Sequence, residues 1–396
     1  MTRRILSESL DAPQHSSGRT ARRFIRTALA GATAIALFGA ALTGGFAQST
    51  PSGGNVDFAW VQAEGTDQTP DANFQINSTG GTNSIARSGP GVYLVTLPGL
   101  GVENAGSVQV SAFADKGRAI CNIGYWVPNG ADMTVQILCF DGAGAPGDSP
   151  FSMSYTNAVT GEAKTDDPAT SFGAYLWAGD AAAAAPYDLS VYTFNSAGAT
   201  NSVEHTGTGT YVVTILGFTG EGGVPQVTGY LGNGGTAPVV CSPFSWAKPD
   251  AATLTVEVDC FDAAGSPADA MFTFAYTKGD NPAGSVGAMN SDWGSGYAYI
   301  PVLDGDGSAT VIDNQFSTGG GNISVLRRAG GSAAGDFHVT FDGRNGGGAP
   351  HVSPVDNSGA TCSILGYGPE GDNGYVDVVC FDASGANVDA AFVVQF

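Results

Sequence analysis

Short runs in which apolar residues alternate with polar ones cover most of the chain, and Gly, Asn and Asp residues separate them. One such run recurs three times, at residues 92–96, 211–214 and 337–340. When apolar and polar residues alternate with a period of two residues, one set of side chains points toward a core and the other toward solvent, as in antiparallel strands. The pattern predicts an all-β fold of antiparallel β-sandwiches and no helix after the N-terminal segment. The one run of helical composition, 181–185, has no helix-like counterpart elsewhere.

The motif Cys-Phe-Asp-x-x-Gly occurs three times. Its copies begin at Cys139, Cys260 and Cys380, so they are 121 and 120 residues apart. A spacing this regular predicts three tandem copies of one sandwich of about 100 residues. The predicted organisation is an export signal at 1–47, a flexible lead-in at 48–54, sandwiches at 55–157, 173–278 and 296–396, and linkers at 158–172 and 279–295.

Six cysteines divide into two per copy, and the two of each copy are 18 or 19 residues apart. A turn sequence lies midway between them, so each pair is predicted to bridge the two strands of a hairpin. The predicted disulfides are Cys121–Cys139, Cys241–Cys260 and Cys362–Cys380. Free thiols or a metal site are the alternatives, and the lack of a nearby histidine argues against metal.

Alternation along the hairpin sorts its side chains onto two faces. The cysteines share a face with valine and isoleucine, so each disulfide should point into a sandwich core. The opposite face is polar, yet it carries a repeated phenylalanine, and an offset of five from the first cysteine places a second aromatic residue there. These candidate binding residues are Trp126, Trp246, Tyr367, Phe140, Phe261 and Phe381. Three interpretations are open: packing between copies or under a loop, a stacking platform for a sugar ring, and scattered exposure.

The N-terminal segment has the composition of an export signal. Arg22, Arg23 and Arg26 precede an apolar run, and small residues follow for cleavage near Ala47. A membrane anchor is the alternative, but the apolar run is short and broken by glycine. The sequence therefore predicts a secreted, cell-surface or periplasmic protein with no membrane span after cleavage.

The charge balance narrows the range of partners. Residues 1–47 contain six of the 15 basic and two of the 36 acidic residues, so residues 48–396 have 9 basic and 34 acidic residues and a net charge of −25. Nucleic acid is excluded because binding it needs clustered Lys and Arg, and an anionic membrane surface is disfavoured for the same reason. Solubility outside the cell accounts for the acidity.

The sequence contains no nucleophile elbow, no zinc-protease motif and no phosphate-binding loop, and it predicts no cofactor. His205, His338 and His351 fall at non-equivalent positions and are interpreted as surface or turn residues. Repeated aspartates are interpreted as turn or cap residues, with a pair of glycosidase carboxylates as the alternative. They are Asp141, Asp262, Asp382, Asp148, Asp269 and Asp389. The segment 304–307 resembles part of a calcium loop without its downstream ligands.

A Tyr-x-Val strand, the Cys-Phe-Asp-x-x-Gly turn and a closing Asp-x-x-Phe strand together resemble tandem units of exported bacterial proteins. Residues 93–95 and 144–151 are also similar to the last strands of trimeric jelly rolls from tail fibres and tumour-necrosis-factor-like heads. The resemblance implies jelly-roll-like sandwiches that close into an intramolecular pseudo-trimer, and it assigns no catalytic residue. The third copy departs from the others at Pro301, which aligns with Trp60 and Trp177.

We expect an exported, non-catalytic binding or adhesion protein that recognises an extracellular glycan or another cell-surface component. A structural envelope or extracellular-matrix protein is the first alternative, and a carbohydrate-active hydrolase is the second. Binding predicts that Trp126, Trp246 and Tyr367 are accessible to solvent beside polar residues. A structural role predicts that they are buried between the copies.

Overall fold

The computed structural model describes residues 56–114, 117–158, 172–279, 296–302, 313–317, 320–328, 334–344 and 348–396. These residues form an all-β structure, as the alternation predicted, with one short 3₁₀ helix at Ala72–Phe74. The alanine-rich segment 181–185 is not helical. The predicted export signal, the lead-in and the calcium-like segment lie outside the described residues. In the described part of the chain, no helix has the length and apolar character needed to span a bilayer.

The strands fall into three modules. Module 1 contains β1 (Val56–Ala63), β2 (Gln75–Asn77), β3 (Ser84–Gly89), β4 (Val92–Leu97), β5 (Ser107–Ala112), β6 (Ala119–Asn129), β7 (Asp132–Asp141) and β8 (Phe151–Ala158). Module 2 contains β9 (Phe172–Ala178), β10 (Tyr187–Asp188), β11 (Thr193–Asn195), β12 (Asn201–Gly207), β13 (Thr210–Leu216), β14 (Val224–Tyr230), β15 (Val239–Asp250), β16 (Thr253–Asp262) and β17 (Met271–Lys278). Module 3 contains β18 (Gly296–Ile300), β19 (Asp313–Ser317), β20 (Ile323–Arg327), β21 (Asp336–Phe341), β22 (His351–Val355), β23 (Thr361–Glu370), β24 (Asn373–Phe381) and β25 (Ala391–Gln395).

Each module has two sheets, and four strands of each sheet follow the same order in all three modules; β10 is an additional edge strand in module 2. The closing sheet, which contains the last strand, has the order β2-β1-β8-β5, β11-β9-β17-β14 or β19-β18-β25-β22. The hairpin sheet has the order β3-β4-β7-β6, β10-β12-β13-β16-β15 or β20-β21-β24-β23. A parallel pairing of Tyr230 with Ile123 joins the closing sheet of module 2 to the hairpin sheet of module 1. The core of each module lies between its two sheets.

The disulfide prediction is confirmed in every module. The cysteines of each pair lie directly opposite each other in the hairpins β6–β7, β15–β16 and β23–β24. The bonds are Cys121–Cys139, Cys241–Cys260 and Cys362–Cys380. Each disulfide belongs to the sandwich core of its module, together with the phenylalanine of the closing Asp-x-x-Phe motif.

The strands extend slightly into the first predicted linker. Ala158 ends β8 and Phe172 begins β9, and both side chains are buried. Residues 159–171 of that linker and 280–295 of the second lie outside the described residues.

Candidate functional site

A polar triplet lies where the three modules meet. The triplets are Gln109-Val110-Ser111 on β5, Gln226-Val227-Thr228 on β14 and His351-Val352-Ser353 on β22. Each hydroxyl oxygen accepts a hydrogen bond from the valine N–H of another module. The bonds are Val352 N–H to Ser111 at 3.0 Å, Val110 N–H to Thr228 at 3.2 Å and Val227 N–H to Ser353 at 3.3 Å. They connect module 3 to 1, module 1 to 2 and module 2 to 3, so the modules close into a ring. We call these nine residues the axial layer.

The first residue of each triplet adds a side-chain acceptor to the same layer. The Thr228 hydroxyl donates to Gln109 Oε1 at 2.8 Å, and the Ser353 hydroxyl donates to Gln226 Oε1 at 2.6 Å. In the third position a histidine replaces glutamine, and His351 Nδ1 lies 3.5 Å from the Ser111 hydroxyl. A buried polar group is costly unless it is hydrogen-bonded, so this layer fixes how the modules are aligned with one another.

A pocket of ≈ 60 Å³ lies at the axial layer, and all three modules line it. Its walls include the valines of the three triplets and the first cysteine of each disulfide. Most of the residues that line it have apolar side chains, and Ser111, Thr228, Asn122 and Thr361 are the polar ones.

Arg118 joins the three Cys-Phe-Asp turns. It directly precedes β6 and is 6 % exposed. Its Nη1 lies within hydrogen-bonding distance of three backbone carbonyls, one from each module, which share its two N–H groups: Gly142 at 3.1 Å, Ala263 at 3.0 Å and Ala383 at 3.3 Å. Each of these residues directly follows the aspartate of its motif. One guanidinium nitrogen therefore binds three equivalent turns.

Arg118 is present in one module alone. The corresponding positions, three residues before the first cysteine, hold Pro238 and Gly359. Its Nε donates to the Thr361 hydroxyl of module 3 at 3.2 Å. Burial lowers the pKa of Arg118, and the charge of Asp382 partly opposes that shift.

Neither the axial layer nor Arg118 was identified from the sequence. The triplet Gln/His-Val-Ser/Thr is visible there, but it starts 12, 15 or 11 residues before the first cysteine, so it does not follow the period of the cysteine motif. Arg118 has no counterpart in the other copies, so periodicity carries no signal for it.

A β-bulge in each disulfide hairpin reverses the face on which the repeated aromatics lie. One extra residue, Gly124, interrupts the pairing of β6 with β7, and equivalent shifts occur in β15 and β23. Beyond the bulge Trp126 lies opposite Val135, which shares the face of the cysteines. The prediction that Trp126, Trp246 and Tyr367 lie on the polar outer face is wrong, because one extra residue shifts a period-two alternation by one.

Each of these three aromatics contacts the next module. The contacts are Trp126 with Trp177, ring centroids 6.1 Å apart, Trp246 with Tyr299, centroids 5.3 Å apart, and the Tyr367 hydroxyl donating to Gln62 Oε1. They follow the order of module 1 to 2, 2 to 3 and 3 to 1. The seams between modules therefore form a second closed cycle.

The strand pairing corrects the sequence alignment of the opening strands. Gln62, Trp177 and Tyr299, which the three aromatics contact, are followed by Ala63, Ala178 and Ile300, and these pair with the phenylalanines of the closing motifs. Gln62, Trp177 and Tyr299 are thus equivalent. The sequence alignment, which placed Trp60 with Trp177 and Pro301, was wrong by two residues at two of the three positions.

Five of the six candidate binding residues contact another module, and Phe140 pairs with Pro146 of its own turn. The exposed fraction is 4 % for Trp126, 2 % for Phe140, 4 % for Phe261 and 5 % for Phe381, and Trp246 and Tyr367 are half-buried. Phe261 packs against Gly359 of module 3, and Phe381 clusters with Ala114 of module 1. These positions fit the interpretation of packing between copies or under a loop and not that of an open stacking platform.

The aspartates of the closing motifs brace turns. Each accepts a hydrogen bond from the N–H of a turn glycine: Asp148 from Gly91 at 2.8 Å, Asp269 from Gly209 at 2.7 Å and Asp389 from Gly335 at 2.6 Å. A basic side chain pairs with each carboxylate; these are Arg87, His205 and Arg327. The hydrogen bonds from Arg87, Gly209 and Arg327 are the main reasons why the pKa of Asp148, Asp269 and Asp389 is lowered.

The aspartates of the Cys-Phe-Asp motifs also bind backbone. Asp141 accepts from the N–H groups of Ala143 and Ala145, and Asp262 and Asp382 make the same two bonds in their own turns. Aspartate favours such turns because its short side chain reaches the backbone two residues ahead. Both sets of repeated carboxylates are thus engaged by their own modules.

The histidines occupy different environments. His205 bonds Asp269 at 2.9 Å, and His338 bonds Asp377 at 2.6 Å, each from a strand and partly exposed. His351 is 5 % exposed in the axial layer, and burial lowers its pKa to about 3. The prediction of a surface or turn position is therefore wrong for His351, because the sequence does not show which end of β22 enters the module junction.

One aromatic cluster retains partial exposure. Trp177, Tyr192 and Tyr230 surround the buried Trp126, with ring centroids 5.2 to 6.1 Å apart. All three of the surrounding side chains are half-buried. This cluster lies at the seam of modules 1 and 2.

Among the described residues, no group of three or more His, Cys, Asp or Glu side chains is arranged to hold a metal ion. Comparison with protein-family models, with curated proteins and with solved structures finds no match.

Proposed function

We propose that this chain is a non-catalytic structural protein of the cell envelope or extracellular matrix, in which three disulfide-braced sandwiches act as one rigid unit. The observation that carries the proposal is the use of the repeated hairpin aromatics. Trp126 is buried in the seam between modules 1 and 2, and the half-buried Trp246 and Tyr367 each contact the next module.

Rigidity follows from the closed cycle of contacts. Domains on one chain move relative to one another unless their interfaces are large and well packed. Here each module is held by two neighbours, through the axial layer, the hairpin aromatics and Arg118. A unit of this kind suits a role in which shape must persist outside the cell.

Three disulfides and the absence of a membrane-spanning helix in the described residues are compatible with an extracellular location. We place the mature protein in the medium, at the cell surface or in the periplasm, after cleavage near Ala47. The strong negative charge of residues 48–396 suits solubility there.

A glycan array and a polysaccharide-hydrolysis assay of residues 48–396 test this function, together with fractionation of cells that express the full chain. We expect no glycan binding at micromolar concentration, no hydrolysis, and recovery of the protein in the envelope or matrix fraction. Hydrolysis would overturn the non-catalytic proposal. Recovery in the cytoplasm would overturn the structural one.

Glycan binding or adhesion is the second candidate function, and the half-buried cluster of Trp177, Tyr192 and Tyr230 favours it. Aromatic faces that retain some exposure are suited to stack on the apolar face of a sugar ring. A positive array result would be tested with Tyr192→Ala and Tyr230→Ala. Tyr375→Ala is the matched control, because Tyr375 is a half-buried ring on the hairpin sheet of module 3. Binding lost in the first two variants and kept in the third would locate the glycan at this cluster.

A further inference from the structure

The three seams differ in how they are held together. Modules 1 and 2, and modules 2 and 3, are consecutive in the chain and therefore covalently joined. The seam between modules 3 and 1 closes the ring through non-covalent contacts alone. All three disulfides lie within modules, so this seam can open without unfolding a sandwich.

Two backbone N–H groups donate hydrogen bonds across this seam. The N–H of Ala114 in module 1 donates to the carbonyl of Ile364 in module 3 at 2.9 Å. The N–H of Val352 in module 3 donates to the Ser111 hydroxyl in module 1 at 3.0 Å. The hydrogen exchange of these two amides therefore reports on whether the seam is closed.

Side chains also join module 3 to module 1. Phe113 packs against Tyr367, with ring centroids 6.2 Å apart, and the Tyr367 hydroxyl donates to Gln62 Oε1. Arg118 Nη1 donates to the carbonyl of Ala383 at 3.3 Å. Opening the seam would break these contacts and withdraw Phe113 from the core of module 3, whose other members all belong to module 3.

The same seam holds the only titratable member of the axial layer. Modules 1 and 2 place Gln109 and Gln226 at the position where module 3 places His351. The glutamine Oε1 atoms accept hydrogen bonds from hydroxyl groups at oxygen–oxygen distances of 2.8 and 2.6 Å, whereas the Ser111 hydroxyl lies 3.5 Å from His351 Nδ1. His351 Nε2 is buried and has no hydrogen-bond partner among the described residues. The axial layer is thus weakest at the seam that has no covalent link.

Among the residues that the structure describes, no charged group stabilises a proton on His351. The strands that pack against β22 are β5, β14, β15, β23 and β25. Of these, β5 and β25 carry no titratable side chain, β14 carries Tyr230, β15 carries Lys248 and Asp250, and β23 carries Tyr367 and Glu370. Burial is the one cause that lowers the pKa of His351, and no neighbouring charge contributes. An imidazolium at this position would therefore be buried without a counter-ion.

We propose that His351 is a proton-sensitive latch, and that protonation of its imidazole opens the seam between module 3 and module 1 while the three sandwiches stay folded. Opening exposes the imidazolium to water, which solvates its charge, and separates Tyr367 from Gln62 and Phe113. Glutamine at the two equivalent positions cannot be protonated, so the other seams stay closed.

The direction of the pH dependence follows from proton linkage. In the closed state burial holds the pKa of His351 near 3, and in the open state it returns toward about 6.5, the usual value for histidine. The open state therefore binds more protons between these values. The equilibrium constant for opening rises as the pH falls below about 6.5, by up to about tenfold per pH unit.

Hydrogen exchange of individual amides in residues 48–396, resolved by NMR between pH 7.5 and pH 4.5 and corrected for intrinsic rates, tests the latch. The amides of Val352 and Ala114 bond across the seam of modules 3 and 1. Those of Leu231 and Val227 bond across the other two seams and serve as internal references. We expect the protection of Val352 and Ala114 to fall by up to about tenfold per pH unit below about 6.5, while that of the references stays constant.

His351→Gln installs the side chain that the chain already uses at the two equivalent positions. It should keep Val352 and Ala114 protected across the whole pH range. His205→Gln, which changes a partly exposed histidine far from the seam in sequence, should behave like the wild type. His351→Asn serves as a second variant if His351→Gln does not fold.

Three results would overturn the proposal: an acid-induced loss of protection that persists in His351→Gln, one that His205→Gln abolishes, or an equal loss at all four amides. The structural role proposed above does not depend on the latch. If the latch proposal fails, the expected results of the glycan array, the hydrolysis assay and the fractionation stay the same.

Discussion

One guanidinium group satisfies three carbonyls that belong to three different modules. Arg118 Nη1 lies 3.0 to 3.3 Å from the carbonyl oxygens of Gly142, Ala263 and Ala383. Three equivalent turns can face one point, but a single side chain fills the space there. A symmetric set of three arginines would place three charges at one point, which explains why Pro238 and Gly359 occupy the corresponding positions.

Replacing Arg118 with methionine tests the importance of these bonds. The three partly buried carbonyls would lose their donor, and we expect the free energy of unfolding to fall by about 1–3 kcal/mol. Urea denaturation at pH 7 measures the loss. Arg87→Met is the control, because Arg87 is more exposed and should cost clearly less. Equal losses in the two variants, or wild-type stability in Arg118→Met, would show that the carbonyls do not need the charged donor.

At the scale of elements, the disulfide hairpin was predictable and its bulge was not. Regular spacing and mid-loop turn sequences fixed the pairing of Cys121 with Cys139, since opposite positions in a hairpin are equidistant from its turn. A bulge adds one residue to one strand and leaves the composition unchanged. Gly124 carries no distinctive signal, because the extra residues of the other hairpins are Phe244 and Leu365. The face of Trp126 was therefore assigned incorrectly.

The bulge gives Trp126 an energetic role that an outer-face position would not have. Trp126→Ala should leave a cavity among Trp177, Tyr192 and Tyr230 and lower the free energy of unfolding by about 3–5 kcal/mol. Chemical denaturation followed by far-ultraviolet circular dichroism measures this loss without relying on tryptophan fluorescence.

Phe244→Ala provides the matched control for Trp126→Ala. Phe244 is the extra residue of the module 2 bulge and is 38 % exposed, so its removal should cost less than about 1 kcal/mol. A loss in Trp126→Ala no larger than that in Phe244→Ala would contradict the assignment of Trp126 to the seam.

At the scale of the whole molecule, the sandwich class followed from the alternation, but the contacts between modules did not. Contacts such as Val352 with Ser111 join residues 241 positions apart, and no local pattern encodes them. The closed cycle also determines where titratable groups are buried. Asp148, Asp269 and Asp389 have lowered pKa values on the periphery of the modules, whereas His351 has a lowered pKa at their junction.

These carboxylates predict a loss of stability in acid. The pKa of Asp389 is lowered mainly by its hydrogen bond to Arg327, so the folded state binds fewer protons than the unfolded state does near the usual aspartate value of about 3.9. Its contribution is complete above that pH and is lost as the pH falls through the folded pKa. Asp389→Asn should therefore lower the free energy of unfolding by about 1 kcal/mol at pH 7 and by much less at pH 2.5.

Asp259→Asn is the control of opposite sign. The pKa of Asp259 is raised, first by burial and then by the charge of Glu257, so its ionised form destabilises the fold. Between the usual aspartate pKa and the raised one, the folded state binds more protons at this position than the unfolded state does. Asp259→Asn should therefore stabilise the protein at pH 7 and make no difference at pH 2.5. Urea denaturation of the wild type and both variants at the two pH values measures these differences. The same sign of effect at pH 7 in both variants, or differences that do not shrink in acid, would contradict the linkage.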